Sequence, residues 1–292
     1  MTDPALVTWQ PHPEAWLLVV GLTAGYLYAL AAWAPRHAPG RPAATRNQRW
    51  CFFTGVAVLW LGADWPIHLL AEDYLYSVHM FQHLLFQLIA APLLILGTPA
   101  WLLRRLLSPP AVRLVWRTLT QPLIALVIVL AVTAAFHVPV VVNTSAANPW
   151  FHLSLHVVLF ATGLIMWWPV LSPLPELPHL SYPGRMAYLF AHSIVPTVPA
   201  AFLTFAYEPL YSAYANAPRL LGWLDPVQDQ QLAGLIMKVA GGFLLWGIIA
   251  VLFFRWASED RTGGPDPLYW RDLEPDVEGA RQSQSHTALG DG

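Results

Sequence analysis

Long apolar stretches separated by short polar segments dominate the chain. Seven of them approach the ~20 mostly apolar residues that a spanning helix needs: 15–34, 50–71, 78–103, 121–140, 150–169, 186–206 and 231–255. None keeps a polar stripe of helical period along its length, and apolarity on all sides marks a lipid-embedded helix. The pattern predicts an all-α, polytopic membrane protein, a bundle of seven transmembrane helices within residues 1–256. Residues 257–292 are polar, Gly-rich and acidic and read as a disordered tail. Pro169, Pro173, Pro175, Pro178 and Pro183 make the connection between the fifth and sixth spans extended. Pro196 and Pro199 predict a kink in the sixth span. Gly21 and Gly25 form a small-xxx-small spacing suited to close helix packing.

Charge fixes an expected orientation. Arg36, Arg41, Arg46 and Arg49 lie between spans one and two, and Arg104, Arg105, Arg113 and Arg117 between three and four. Arg185 precedes span six, and Arg255, Arg261, Arg271 and Arg281 close the chain. Thirteen of the fifteen basic residues thus fall on one side, which predicts the N-terminus outside and the C-terminus in the cytoplasm. No Lys or Arg precedes the first stretch, so it reads as a retained span rather than a cleaved signal. Only 11% of residues are charged, against ~25% in soluble domains, which argues against a soluble enzyme. A net charge of −2 offers no basic field for nucleic acid; the expected surroundings are membrane lipid. Cys51 is the single cysteine, so neither a disulfide framework nor a cysteine-cluster metal site is available.

Against this apolar background the ionisable residues stand out, because each is costly in a bilayer. With the spans above, Asp64, His68, His79, His83, His137, His152, His156 and Asp229 all fall near the outer ends of their helices. Asp64/His68, His79/His83 and His152/His156 are spaced i,i+4, so each pair shares a helix face. Three such pairs on neighbouring helices can build one or two metal sites. Imidazole suits copper, zinc, iron and nickel, whereas a thioether selects Cu(I). Met80 beside His79, and Met237 in span seven, lean the set toward copper; zinc, or haem iron on two axial histidines, stays open. Plainer roles are also open. Met80 suits packing, Asp229 suits an N-cap of span seven, Lys238 suits pairing with an acid, and His192 suits a bond inside the bundle.

Four ordered blocks carry a resemblance. They are Val78-His79-Met80-Phe81-Gln82-His83 with Ala91-Pro92-Leu93-Leu94-Ile95-Leu96-Gly97-Thr98-Pro99; His137-Val138-Pro139; His152 and His156 with Trp167-Trp168-Pro169; and Asp229-Gln230-Gln231-Leu232-Ala233-Gly234-Leu235-Ile236-Met237. Together they resemble the seven-helix CtaG family of cytochrome c oxidase assembly factors over roughly residues 10–255. Lys238 departs from the pattern, where an aromatic commonly follows the methionine. The resemblance implies a non-enzymatic assembly factor of the bacterial inner membrane, serving a haem-copper oxidase. It also implies copper handling: receipt from a periplasmic copper donor and delivery to cytochrome c oxidase subunits. His79, His83, His152 and His156 match the family's histidines and Asp229 its acidic position; Asp64, His68 and His137 complete the expected metal set. A haem-b redox protein and a copper transporter are the alternative readings.

Overall fold

The computed structural model describes Trp9 and residues 12–263. All regular structure among the described residues is helical. The described residues divide into two units, with the boundary between Ile249 and Ala250. In chain order the helices are α1 (Pro13–His37), α2 (Arg46–Ala63), α3 (Ile67–Asp73), α4 (Tyr76–Gly97), α5 (Ala100–Leu106) and α6 (Pro110–Leu119). They continue with α7 (Pro122–Phe136), α8 (Pro139–Ala147), α9 (Pro149–Leu171), α10 (Tyr182–Ile194), α11 (Thr197–Phe205), α12 (Ser212–Ala215) and α13 (Pro226–Asp260). Among the described residues five helices are long and apolar enough to cross a membrane, α10 and α11 counting as one. The number rises to seven if the bent pairs α2–α3 and α6–α7 each form one span.

Proline sets many of the boundaries. Helices α6, α7, α8, α9 and α13 each carry Pro in their first turn, where its missing N–H costs nothing. The expected second span bends by 40° between Ala63 and Ile67, because Pro66 cannot continue the backbone ladder. Asp64 therefore caps the end of α2 while His68 lies in α3, so they do not share one face of one helix as their spacing predicts. The expected fourth span is also shorter than read. Pro139 forces Val138 into an extended conformation and starts a new helix, leaving α7 at 15 residues, about 22 Å. Before it, α6 puts Val112, Val115 and Trp116 on one face and Arg113 and Arg117 on the other, and it meets α7 at 75°. That is the geometry of a helix lying in the membrane interface. In the sixth span the expected kink falls at Pro196, between α10 and α11, while Pro199 sits harmlessly in the first turn of α11. The tail expected from residue 257 begins inside helix, which runs to Gly263; residues 264–292 lie outside the described residues.

In lipid, helices associate through close packing more than through exclusion of water. A Cβ on Gly97 would lie 2.6 Å from the Phe52 Cα atom, so only glycine lets α4 approach α2 this closely. Tyr26 of α1 closes the same junction: its hydroxyl donates to the Gly97 carbonyl (3.0 Å) and its ring stacks on Phe52 (3.7 Å between centroids). Gly234 does the same for α13 against α11, where an added Cβ would lie 2.8 Å from the Ala200 carbonyl oxygen. Gly21 and Gly25 differ from expectation: no atom lies within 4 Å of where their Cβ would be, so this spacing faces outward. Leu17, Val20, Leu123, Val127, Phe202 and Phe243 are exposed, as side chains turned to lipid are.

Candidate metal centre

Four elements bring the site together. Helix α4 carries His79 and His83 in its first turns, and α9 carries His152 and His156 in its own. Asn148 caps α9 by accepting the Trp150 and Phe151 N–H groups, 3.1 Å each. Helix α3 contributes His68 and Glu72, again four residues apart on one face. From α8 comes Ser145.

The imidazoles converge. Ring centroids are 4.2 Å apart for His79–His83 and for His152–His156, 5.7 Å for His79–His152 and for His83–His156, and 5.9 Å for His68–His152. His152 Nε2 approaches His156 Nε2 (2.9 Å) and pairs with Glu72 Oε1, which also lies 3.6 Å from His68 Nδ1. Glu72, His79 and His152 each offer a ligand atom, and the three atoms lie within 4.8 Å of one another. His79 Nδ1 is buried and has no hydrogen-bond partner. Between these groups lies a cavity of about 20 Å³, also lined by His83, Ser145, His156 and Tyr214. A single water or a bare ion fits such a volume; a larger ligand does not. His152 Nδ1 is 2.9 Å from Ser145 Oγ. In the tautomer that donates Nδ1–H to this hydroxyl, Nε2 presents its lone pair to the cavity, as an oriented metal ligand does. Tyr214, on the short helix α12, donates its hydroxyl to the Ala71 carbonyl (2.9 Å); burial pushes the phenol well above its usual value and keeps it protonated.

Of the residues expected from sequence, His68, His79, His83, His152 and His156 are gathered here. Asp64 stands one step back. It accepts from the Trp60 indole N–H (3.1 Å) and from the His12 backbone N–H (3.4 Å), with His12 Nδ1 at 3.2 Å. The His12 ring in turn lies 4.4 Å from that of His68. Asp229 is not part of the cluster: both its oxygens accept backbone N–H groups, from Tyr76 (2.7 Å) and Ser77 (3.2 Å). It caps α4 rather than the helix that carries it, whose own cap is Asp225 with Gln228. His137 turns Nδ1 to the Thr133 carbonyl (2.7 Å) and lines a separate cavity. Met80 and Met237 are buried in an apolar cluster with Tyr76, Leu203 and Tyr211, and neither lines the cavity at Glu72. Among the described residues Lys238 pairs with no acid: its Nζ donates to the Ser193 carbonyl (2.9 Å) and to Thr197 Oγ1 (2.7 Å), bridging the break in span six. Glu72, Ser145 and His12 went unread in the sequence. The i,i+4 spacing from His68 was the signal for Glu72.

A helical membrane bundle enclosing a buried histidine and carboxylate cluster defines the class. Residues 24–259 match the family described as cytochrome c oxidase caa3 assembly factor (Caa3_CtaG), and the chain belongs to that family. It is similar to uncharacterized proteins of Mycobacterium bovis and Mycobacterium tuberculosis, at 27% identity over 206 residues each. A Mycobacterium leprae protein, also uncharacterized, is 24% identical over 207 residues. The matches cover 64% of this chain but only 30–31% of each relative, so the chain spans less than a third of their length. No solved structure matches it.

Proposed function

We propose that this chain binds copper as cargo at the Glu72–His79–His152 centre and delivers it to a haem-copper oxidase of the caa3 type during assembly. In this reading it sits in a bacterial inner membrane with its N-terminus outside, so that the cluster lies at the periplasmic end of the bundle. The ion would come from a periplasmic donor and leave for an oxidase subunit. The observation that carries the proposal is the convergence of three ligand atoms from three helices on an ion-sized cavity. Nitrogen and carboxylate donors suit copper or zinc, and the oxidase served by the family turns the choice to copper. His68, His83 and His156 stand around the centre as alternative ligands, and incomplete ligation suits an ion that must leave again. Neither cavity approaches the ~300 Å³ of even small cofactor pockets, which argues against the haem alternative.

The test is copper content of the purified full chain, beside a Glu72→Gln/His79→Ala/His152→Ala variant. Wild type is expected to retain copper and the variant to lose it, with affinity falling on acidification as the imidazoles protonate. Equal copper in both proteins, at equal helix content, would overturn the assignment.

A further inference from the structure

A second cavity lies deeper in the bundle, at about 80 Å³ the larger of the two. Its walls include Met80, Met166 and Met237 together with His83, His137 and His192. All three methionines are buried. His192 is only 3% exposed, yet neither of its ring nitrogens has a hydrogen-bond partner. His137 Nε2 is likewise buried and unpartnered. Unsatisfied polar atoms are costly in a membrane interior, so three unpartnered imidazole nitrogens on two residues that line one void favour a ligand there. The helices are deformed beside it: α4 passes through a π-helical turn at Leu85–Ala90 and α13 through another at Ile236–Ala240. Such bulges widen a helix and recur at functional sites.

We propose that this cavity binds a soft monovalent metal ion, Cu(I) by chemical class, through thioether sulfur and imidazole nitrogen. Two features select this ligand. Thioethers favour Cu(I) over hard or divalent ions. No carboxylate lines the cavity, so a divalent cation would be buried without a counter-charge. Lys238 Nζ donates to the carbonyl of Ser193, itself a wall residue, and to Thr197, so an ammonium stands beside the cavity and opposes a divalent cation more than a monovalent one. The Glu72 centre has the opposite character, with a carboxylate and no sulfur. His83 lines both cavities, so the two sites share a wall. The second site is proposed on its own residues and does not depend on copper binding at the first.

The experiment titrates the purified full chain with Ag(I), a redox-inert stand-in for Cu(I), and records the silver-edge absorption spectrum of the complex. Wild type is expected to bind with both sulfur and nitrogen neighbours. A Met80→Leu/Met166→Leu/Met237→Leu variant, which conserves side-chain volume, should lose the sulfur signal and at least tenfold in affinity, and His192→Leu should weaken binding similarly. Glu72→Gln/His152→Ala should leave this binding unchanged even if it abolishes copper at the first site. A wild-type spectrum without sulfur overturns the proposal with no variant needed. So does Ag(I) affinity that follows Glu72 and His152 instead of the methionines.

Discussion

Asp229 offers the sharpest separation of scaffold from chemistry. Its carboxylate is 2% exposed and accepts two backbone N–H groups at the start of α4, the helix that presents His79 and His83. Asp229→Asn keeps the shape, removes the charge and turns an amide donor toward one of those N–H groups. Hydrogen bonds to charged groups contribute ~1.5–3 kcal/mol each, and the helix N-terminus adds a few tenths more. Losing one such bond and weakening the other should cost about 2–4 kcal/mol. The measurement is reversible unfolding in mixed micelles, with metal content determined on the folded fraction. A cap predicts a large loss of stability with metal per folded chain unchanged. If stability held and the metal were lost, Asp229 would be a ligand and the role argued above would fail.

Three further outcomes follow from the same geometry. Ser145→Ala, which removes the hydroxyl at His152 Nδ1, should weaken metal binding about 10–100-fold with every ligand in place; competition against a chelator of known affinity checks it, and unchanged affinity refutes the orienting role. Gly97→Ala forces Cβ against the Phe52 backbone and should destabilise by ~1–3 kcal/mol, whereas Gly21→Ala, in open space, should be near neutral; the two unfolding midpoints together test the packing. At the Arg104–Glu176 pair, the guanidinium hydrogen bond holds the Glu176 carboxyl below its ordinary value of 4.5. Its stabilisation is therefore present above that value and lost as pH falls through the lower, folded-state value. Both side chains are over 40% exposed, so Glu176→Gln should cost no more than ~1 kcal/mol, read from unfolding at neutral and acid pH.

How far the sequence spoke depended on the range of the interaction. All-round apolarity revealed the helices, and the i,i+4 pairs His79/His83 and His152/His156 revealed that their rings share a face, because both are local properties. Glu72 escaped because an acid next to Asp73 at a helix end looks like a solvated terminus. Only the fold of α3 against α9 sets it opposite His152. Asp64 and His68 looked like a third pair, but the break at Pro66 leaves Asp64 at the end of α2 and His68 in α3, and Asp64 turns to His12 instead. The partner of Asp229 lies 153 residues earlier, beyond any pattern along the chain. The π-helical turns at Leu85–Ala90 and Ile236–Ala240 were equally silent, since one extra residue per turn leaves an apolar stretch apolar.

The contrast between Asp229 and Glu72 carries the functional argument further than proximity does. Both acids come close to the start of α4, and a buried carboxylate must be compensated wherever it lies. Asp229 is compensated by backbone amides that its position alone supplies, so the scaffold already employs it. Glu72 faces His152 and His68, groups that are neutral unless protonated, and the nearby His79 leaves Nδ1 without a partner. Protonating His152 would satisfy the carboxylate but would place a cation among three further imidazoles within about 6 Å. A metal cation removes that conflict, because it compensates Glu72 and takes imidazole lone pairs at the same time. This contrast supports the proposed ion at Glu72, the acid that faces imidazoles, over one at Asp229, which backbone amides already compensate.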